Sequence, residues 1–475
     1  MKWLLAFACC LAAGPLSAGQ GEKTTGITRV YVEPFATRDG SKKLREDVIA
    51  ELRAAGSIAL VSGESGADEI LGGGGEIWVK GYRSLNPRSG TSTAARTPVY
   101  AGFLALELRD TKGQILWSDL VTPGAGSENV SKSLAKRIAR HVTAAIATHP
   151  APARAAPATQ PTTSLKGAGA TFPYPVYAKW FTNYQRENPN IEISYDSVGS
   201  EAGMQRLLAG EVDFGASDCP TVIGESAAEQ ERRYLLFPSV VGAVVPIVNL
   251  PGVTGEIRFT PEALAGIYLG TVKKWNAPVL TQANRRLRLP NLDIEVVHRA
   301  DGSGTSYAWT DYLSMTSPVW NSQVGAGLRP KWPTGLGANG NDGVAKAVKQ
   351  SAGAIGYVEF IYALENHLAF GEVRNQHGEF VEASLHSIAA AASGEIRDDM
   401  KMSLANARSA GAYPIASFTW LVVPTRIPDE SKRNAMAAFL KWMLGPGQAQ
   451  AAALGYQELP KELVDRERAA IGNIR

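Results

Sequence analysis

The apolar and polar positions of this chain divide it into two stretches of regular alternation, separated by one stretch with none. In the first, roughly Gly26 to Thr148, the pattern predicts strands at Ile27 to Phe35 and Ile58 to Val61, with a leucine-spaced helix at Ser41 to Ala55 between them. Further strands are predicted at Glu69 to Gly81 and Tyr100 to Leu108. The turn Asp110-Thr111-Lys112-Gly113 then leads into a strand at Ile115 to Val121, and Ser127 to Ala147 reads as a closing helix. Residues 149–164 are rich in proline and alanine, lack apolar periodicity, and are expected to form an extended linker. Nothing in such a tract offers a surface for docking, so the two parts are expected to behave independently. From Leu165 onward strands and helices alternate in the manner of a doubly wound α/β fold. Two long apolar runs, Phe237 to Asn249 and Ala412 to Val423, read as extended segments within it.

Length and charge narrow the picture only moderately. At 475 residues the chain is too long for one ordinary domain. The net charge is +3 and 45% of residues are hydrophobic, which predicts a folded protein with no electrostatic footprint for nucleic acid or a membrane surface. Any attraction for an anion therefore has to be local. Residues 1–18 read as a secretory signal peptide: Lys2 is the charged start, Trp3 to Ala13 the apolar core, and Leu16-Ser17-Ala18 the small-residue exit. A lipidated cysteine would need a leucine three residues before Cys9 or Cys10, and Ala6 or Phe7 stands there, so a lipoprotein is not expected. Removal of the signal leaves Cys219 as the single cysteine, read as a small buried packing residue. The six histidines show no paired metal spacing, and no cofactor is expected.

The chemistry concentrates in glycine-rich turns. Val296 to Ser306, read Val-Val-His-Arg-Ala-Asp-Gly-Ser-Gly-Thr-Ser, is an apolar strand that turns through two glycines into a helix. The first N–H groups of a helix lack internal partners and the dipole favours negative charge there, so this turn suits an oxyanion. Arg299 adds a planar guanidinium able to grip two oxygens, and Ser303 and Thr305 add hydroxyls. Alone, such a turn is an ordinary α/β connection. It gains meaning from Gly167-Ala168-Gly169-Ala170-Thr171-Phe172-Pro173 before a helix at Val176 to Gln185, from Ser197-Val198-Gly199-Ser200-Glu201-Ala202-Gly203 opening another helix, and from Asp213-Phe214-Gly215-Ala216-Ser217-Asp218.

At these four motifs the chain resembles the periplasmic phosphate-binding proteins, the substrate-capturing subunits of phosphate ABC importers. The resemblance runs from about Leu165 to the end and includes the Trp332-Pro333 to Gly343 loop and Gly356-Tyr357-Val358-Glu359. It implies an α/β, two-lobed periplasmic binding protein fold of type II, preceded by a small separate α/β domain. The two apolar runs would cross between the lobes, with lobe 1 at about 165–240 plus 415–475 and lobe 2 at about 250–410. Matched motif by motif, it implies phosphate contacts at Thr171, Phe172, Ser200, Asp218, Arg299, Ser303, Gly304 and Thr305, with Asp301 orienting the guanidinium. For Thr171 and Ser200 plain helix capping is the competing explanation. The implied partners are inorganic phosphate and the ABC permease subunits of the inner membrane. Residues 26–148 resemble the small α/β domains of envelope proteins such as the TolB amino-terminal domain and CsgG. The marks are Val30-Tyr31-Val32-Glu33-Pro34-Phe35, Ala67-Asp68-Glu69-Ile70-Leu71-Gly72-Gly73 and Leu106-Glu107-Leu108-Arg109-Asp110. That implies an interaction module for an envelope partner, or a spacer.

Asp218 bears on which anion is expected. A carboxylate facing an anion is repulsive unless the anion carries a proton to donate, which phosphate does at neutral pH and sulfate does not. Arsenate has the same proton and nearly the same shape, so the pattern does not separate it from phosphate. Two other functions compete: an envelope phosphate sensor or scaffold, and a secreted phosphoester hydrolase. The hydrolase is disfavoured because Ser200 and Ser303 have no histidine base in a recognisable signature, so the chain is not expected to be an enzyme. Gly335-Leu336-Gly337-Ala338-Asn339-Gly340 matches a dinucleotide fingerprint literally, but no buried strand precedes it, and a glycine-rich surface loop is expected. His298 is expected to face away from Arg299's ligand side, on the opposite face of its strand.

Overall fold

The computed structural model describes residues 28–37, 41–84, 96–111, 113–123, 130–147, 163–221, 226–397 and 399–475. The expected signal peptide and nearly all of the expected linker lie outside these residues. The first part forms a six-stranded sheet. Strands Arg29–Val32 and Ala59–Leu60 run parallel, Glu69–Ser84 joins them, and Arg96–Asp110 and Ile115–Val121 continue the sheet antiparallel. Helices Ser41–Ala55 and Val130–Ile146 bury leucines, isoleucine and valines such as Leu44, Val48, Leu134, Ile138 and Val142 in its core. That apolar stripe is the helical periodicity seen in the sequence.

The second part is built on a nine-stranded sheet shared by both lobes. Its middle is the antiparallel pair Tyr234–Val248 and Ala416–Pro424, in register from Tyr234↔Pro424 to Ala243↔Ala416 with one irregularity between Pro238 and Val240. These are the two apolar runs, buried along nearly their whole length because sheet neighbours and helices cover them. On one side follow Phe214–Ser217, Thr163–Gly169 and Ile191–Ser197, which carry lobe 1. On the other, Ala354–Glu359 pairs with Tyr234–Val248, then Glu295–Arg299 and Leu336–Ala338 extend lobe 2. Within the glycine-rich segment Gly335 to Gly340, expected as a surface loop, Leu336–Ala338 thus form a short edge strand. Its Leu336 is 60% exposed, and this hides it from periodicity.

Aromatic packing fixes the helices that start at the glycine turns. In lobe 1, Tyr177, Trp180 and Phe181 of helix Tyr174–Glu187 interlock with Tyr195, Phe214 and Phe439. In lobe 2, Trp309 of helix Gly304–Thr316 stacks on Tyr357 at 5.0 Å between centroids.

The two parts do not stand apart, contrary to the expectation from the linker. Ser118 Oγ donates to the Ala449 carbonyl at 2.6 Å and accepts from the Ala453 amide at 3.2 Å. Leu120 enters the core of the second part, and Lys179 pairs with Glu107 at 2.9 Å. A proline-rich tether carries no information about a docking face formed by residues far from it.

Helix Ser200–Leu208 lies so close to strand Thr163–Gly169 that a Cβ on Gly203 would sit 2.6 Å from the Ala168 carbonyl oxygen and from Gly169 N. Backbone atoms cannot swing aside, so Gly203→Ala is expected to destabilise lobe 1 by about 1–3 kcal/mol. Denaturant unfolding at unchanged m-value measures it, and wild-type stability would contradict the close approach.

Candidate functional site

The glycine turns of both lobes converge over the crossing strands. Helix Gly304–Thr316 begins after Ser303, whose hydroxyl accepts from Ser306 N at 3.1 Å. Ser303 is therefore the helix cap, and its own amide is committed to Leu328 O at 2.8 Å. Its hydroxyl proton stays available to a ligand. Ser200 is no cap: Gly199, at φ 94, precedes its helix, and Ser200 Oγ instead accepts from Gly304 N at 3.1 Å in the other lobe. Thr171 does not cap either. Its Oγ1 accepts from Asn341 Nδ2 at 2.8 Å, and its carbonyl accepts from Tyr362 OH at 2.7 Å. Capping, the simpler account of Thr171 and Ser200, is thus the role of Ser303 alone among these three.

Arg299 ends strand Glu295–Arg299 and is only 2% exposed. Asp301 takes its Nε at 2.7 Å and its Nη2, in the two-pronged arrangement expected of an orienting carboxylate. Nη1 donates to Thr305 Oγ1 at 3.3 Å. Of the five guanidinium N–H groups, one on Nη1 and one on Nη2 remain. Burial opposes ionisation of Asp301, yet hydrogen bonds and charge from Arg299 hold its carboxyl below its ordinary range. Asp301 Oδ1 also accepts from Gly340 N at 3.2 Å, tying the turn to helix Gly340–Gln350.

Asp218 is the second buried acid, 1% exposed. Thr419 Oγ1, on crossing strand Ala416–Pro424, donates to its Oδ1 at 2.5 Å. Its Oδ2 is buried with no hydrogen-bond partner among the described residues. Burial pushes the carboxyl up to about 7, against the pull of the Thr419 hydrogen bond and the Arg299 charge. A Cβ on Gly304 would overlap Oδ2 and come within 2.6 Å of Ser200 Oγ, so only glycine lets the helix start approach both.

Thr171, Ser200, Asp218, Arg299, Asp301, Ser303, Gly304 and Thr305 thus form one constellation, all buried but the partly exposed Asp301. Phe172 joins it through its main chain only: its ring is fully buried and its carbonyl accepts from Tyr456 OH at 2.5 Å. Four further residues take part to which the sequence reading gave no role, although Asn341, Tyr357 and Glu359 lie in stretches it singled out. Asn341 links Thr171 and Thr305 across the lobes, its Oδ1 accepting from Glu359 N at 3.0 Å. Tyr357 OH accepts from Arg299 N at 3.1 Å and pairs with Ser306 Oγ at 2.7 Å. Thr419 orients Asp218, and Glu359, pushed well above its ordinary value by burial, accepts from Ile361 N and lies 3.3 Å from the Tyr456 hydroxyl. His298 turns onto Trp332, stacked at 4.9 Å. Cys219 is buried, its thiol raised by burial.

A two-lobed sheet that gathers helix starts, hydroxyls and a buried guanidinium at one place is the architecture of a substrate-binding protein. The chain matches the PBP superfamily domain across residues 155–446. It is 39% identical over 310 residues to the phosphate-binding protein PstS of Pasteurella multocida, a match covering 64% of this chain and 89% of the relative. With PstS of Haemophilus influenzae it is 42% identical over 305 residues, covering 63% and 90%. Among solved structures, the phosphate-bound periplasmic protein PfluDING superposes with a TM-score of 0.51 at 19% identity, covering 65% of this chain and 93% of that one. The ancestral soluble variant of the human phosphate-binding protein gives 0.53 at 18% identity, covering 65% and 93%. At such identities the superpositions establish the fold alone. The chain belongs to the periplasmic phosphate-binding protein family.

The raised Asp218 carboxyl gives stability a pH signature. Between its ordinary 3.8 and about 7 the folded chain holds a proton that the unfolded chain has lost, so stability falls as pH rises through that window and then levels off. Asp218→Asn removes this component. Melting temperatures of the two proteins should diverge in favour of the variant from about pH 4 to about pH 7; a difference constant with pH would show that Asp218 ionises normally.

Proposed function

We infer that this protein captures inorganic phosphate in the periplasm, its two lobes closing on the anion, and hands it to the permease of an ABC importer. The observation that carries the reading is Asp218 Oδ2, buried with no hydrogen-bond partner among the described residues, close against Gly304 at the start of helix Gly304–Thr316 and within reach of the Arg299 charge. An anion that brings its own proton satisfies that acceptor, and one without a proton leaves it facing like charge. Thr171, Phe172 and Ser200 from lobe 1 and Arg299, Ser303, Gly304 and Thr305 from lobe 2 supply the remaining contacts, with Asp301 orienting Arg299. The relatives named above are phosphate-binding proteins, which supports the same anion. Export by the expected signal at residues 1–18 and delivery to a permease are part of the same reading, and the family supports them.

Capture fits the site better than hydrolysis of phosphoesters. Ser200 Oγ accepts from Gly304 N and Ser303 Oγ from Ser306 N, and among the described residues no histidine is hydrogen-bonded to either hydroxyl.

Titration calorimetry should show one phosphate per chain, with sulfate failing to compete above about pH 8. As pH falls through about 7, protonated Asp218 becomes a donor, and sulfate should begin to compete. Asp218→Asn should show weak selectivity at every pH. Selectivity that is the same on both sides of neutrality would remove Asp218 from the discriminating role. Arg299→Lys should lose about 1.5–3 kcal/mol of phosphate affinity, because a point charge cannot replace two parallel N–H groups. Wild-type affinity in Arg299→Ala would put the site elsewhere.

A further inference from the structure

We propose that the N-terminal domain is a brace on the anion site: docked on residues 448–455, it holds Tyr456 in place and thereby favours the closed arrangement of the lobes. The inference rests on the phosphate reading above for its ligand, and on separate residues for its geometry. Ser118 is 2% exposed and spends its hydroxyl entirely across the interface, donating to Ala449 O and accepting from Ala453 N. A polar group buried this way is costly unless both partners stay in place, so the contact is specific and not merely apolar. Leu120, 8% exposed, packs where Gly455 has no side chain: a Cβ there would lie 3.5 Å from Leu120 Cδ2. Gly455 adopts φ +77, the left-handed conformation that ends the segment and aims the next residue inward.

That next residue is Tyr456, fully buried. Its hydroxyl meets two groups, Phe172 O at 2.5 Å in lobe 1 and Glu359 Oε2 at 3.3 Å at the end of a lobe 2 strand. Gln457 then bridges to Val241 on a crossing strand. The same Cβ position would also lie 3.5 Å from Phe360 Cδ1 and 3.7 Å from Ile361 Cβ, both in lobe 2. Residues 449–456 therefore link the N-terminal sheet to a glycine-turn motif of the site and to the strand end where the lobes meet. The described docking contacts, to residues 448–454 and Lys179, lie in lobe 1, so the domain travels with that lobe. Fixing one end of a segment whose other end bridges both lobes lowers the entropy lost when they close.

Full-length Leu120→Asp places a carboxylate in the interface, and Ser118→Ala removes the two interface hydrogen bonds; neither residue belongs to the anion site. Amide exchange at residues 449–457 and calorimetry with inorganic phosphate are the two readouts. Leu120→Asp should speed exchange there and weaken phosphate binding by about fivefold or more, with Ser118→Ala moving both in the same direction to a smaller extent. Protection of strand Arg96–Asp110 shows whether the N-terminal sheet survives Leu120→Asp, and if it does not, Ser118→Ala decides. Unchanged exchange would overturn the docking, and faster exchange at wild-type affinity would overturn its control of closure. Faster exchange in a protein whose wild type ignores phosphate would sink the function proposed above and leave the docking in place.

Discussion

A guanidinium that is 2% exposed must be neutralised where it stands, and the site is arranged around how Arg299 achieves this. Asp301 matches its charge with a two-pronged pair, leaving two guanidinium N–H groups uncommitted on a pair with no net charge. Asp218 then adds a negative or neutral group according to its proton, near the middle of the physiological range. The site therefore has no surplus of positive charge with which to pull in an anion. Attraction must come from oriented N–H and O–H groups, consistent with a chain whose overall charge is only +3. Recognition by fixed dipoles is selective because each requires an oxygen, or a proton, in one place.

Those dipoles come from both lobes, and the crossing strands keep them in reach of each other. Thr419, on one of these strands, holds Asp218 from below. Ser200 reaches Gly304, and Asn341 reaches Thr171, across the cleft. Glu201 pairs with Arg329 at 2.6 Å nearer the rim, while Glu201 N donates to Gly302 O. The half-exposed ion pair is screened and contributes little on its own, so closure depends on the buried contacts.

What the sequence disclosed about this site was what lies close together along the chain. Arg299, Asp301, Ser303, Gly304 and Thr305 fall within seven residues, and strand, turn and helix start are each written in local residue types. The two crossing strands were visible because they are apolar throughout. Thr419 and Asn341 were not, because a threonine in a strand and an asparagine at a helix start have many roles. Their partners lie 201 and 170 positions away. Ser118 is further still from Ala449, 331 positions, and its strand shows only the ordinary apolar pattern of a sheet. The reading of Thr171 and Ser200 stayed open for the opposite reason, since capping and ligand contact use the same residue types at the same place.

The resemblance to known phosphate binders implies roles for individual residues, and the burial and hydrogen bonding of Asp218 and Arg299 give a physical reason for two of them. A crystal structure of the full-length protein with phosphate tests that reason most directly. One phosphate oxygen should lie within hydrogen-bond distance of Asp218 Oδ2 and others at the two free N–H groups of Arg299. Phosphate bound elsewhere, or held with Asp218 Oδ2 turned away from it, would contradict the account.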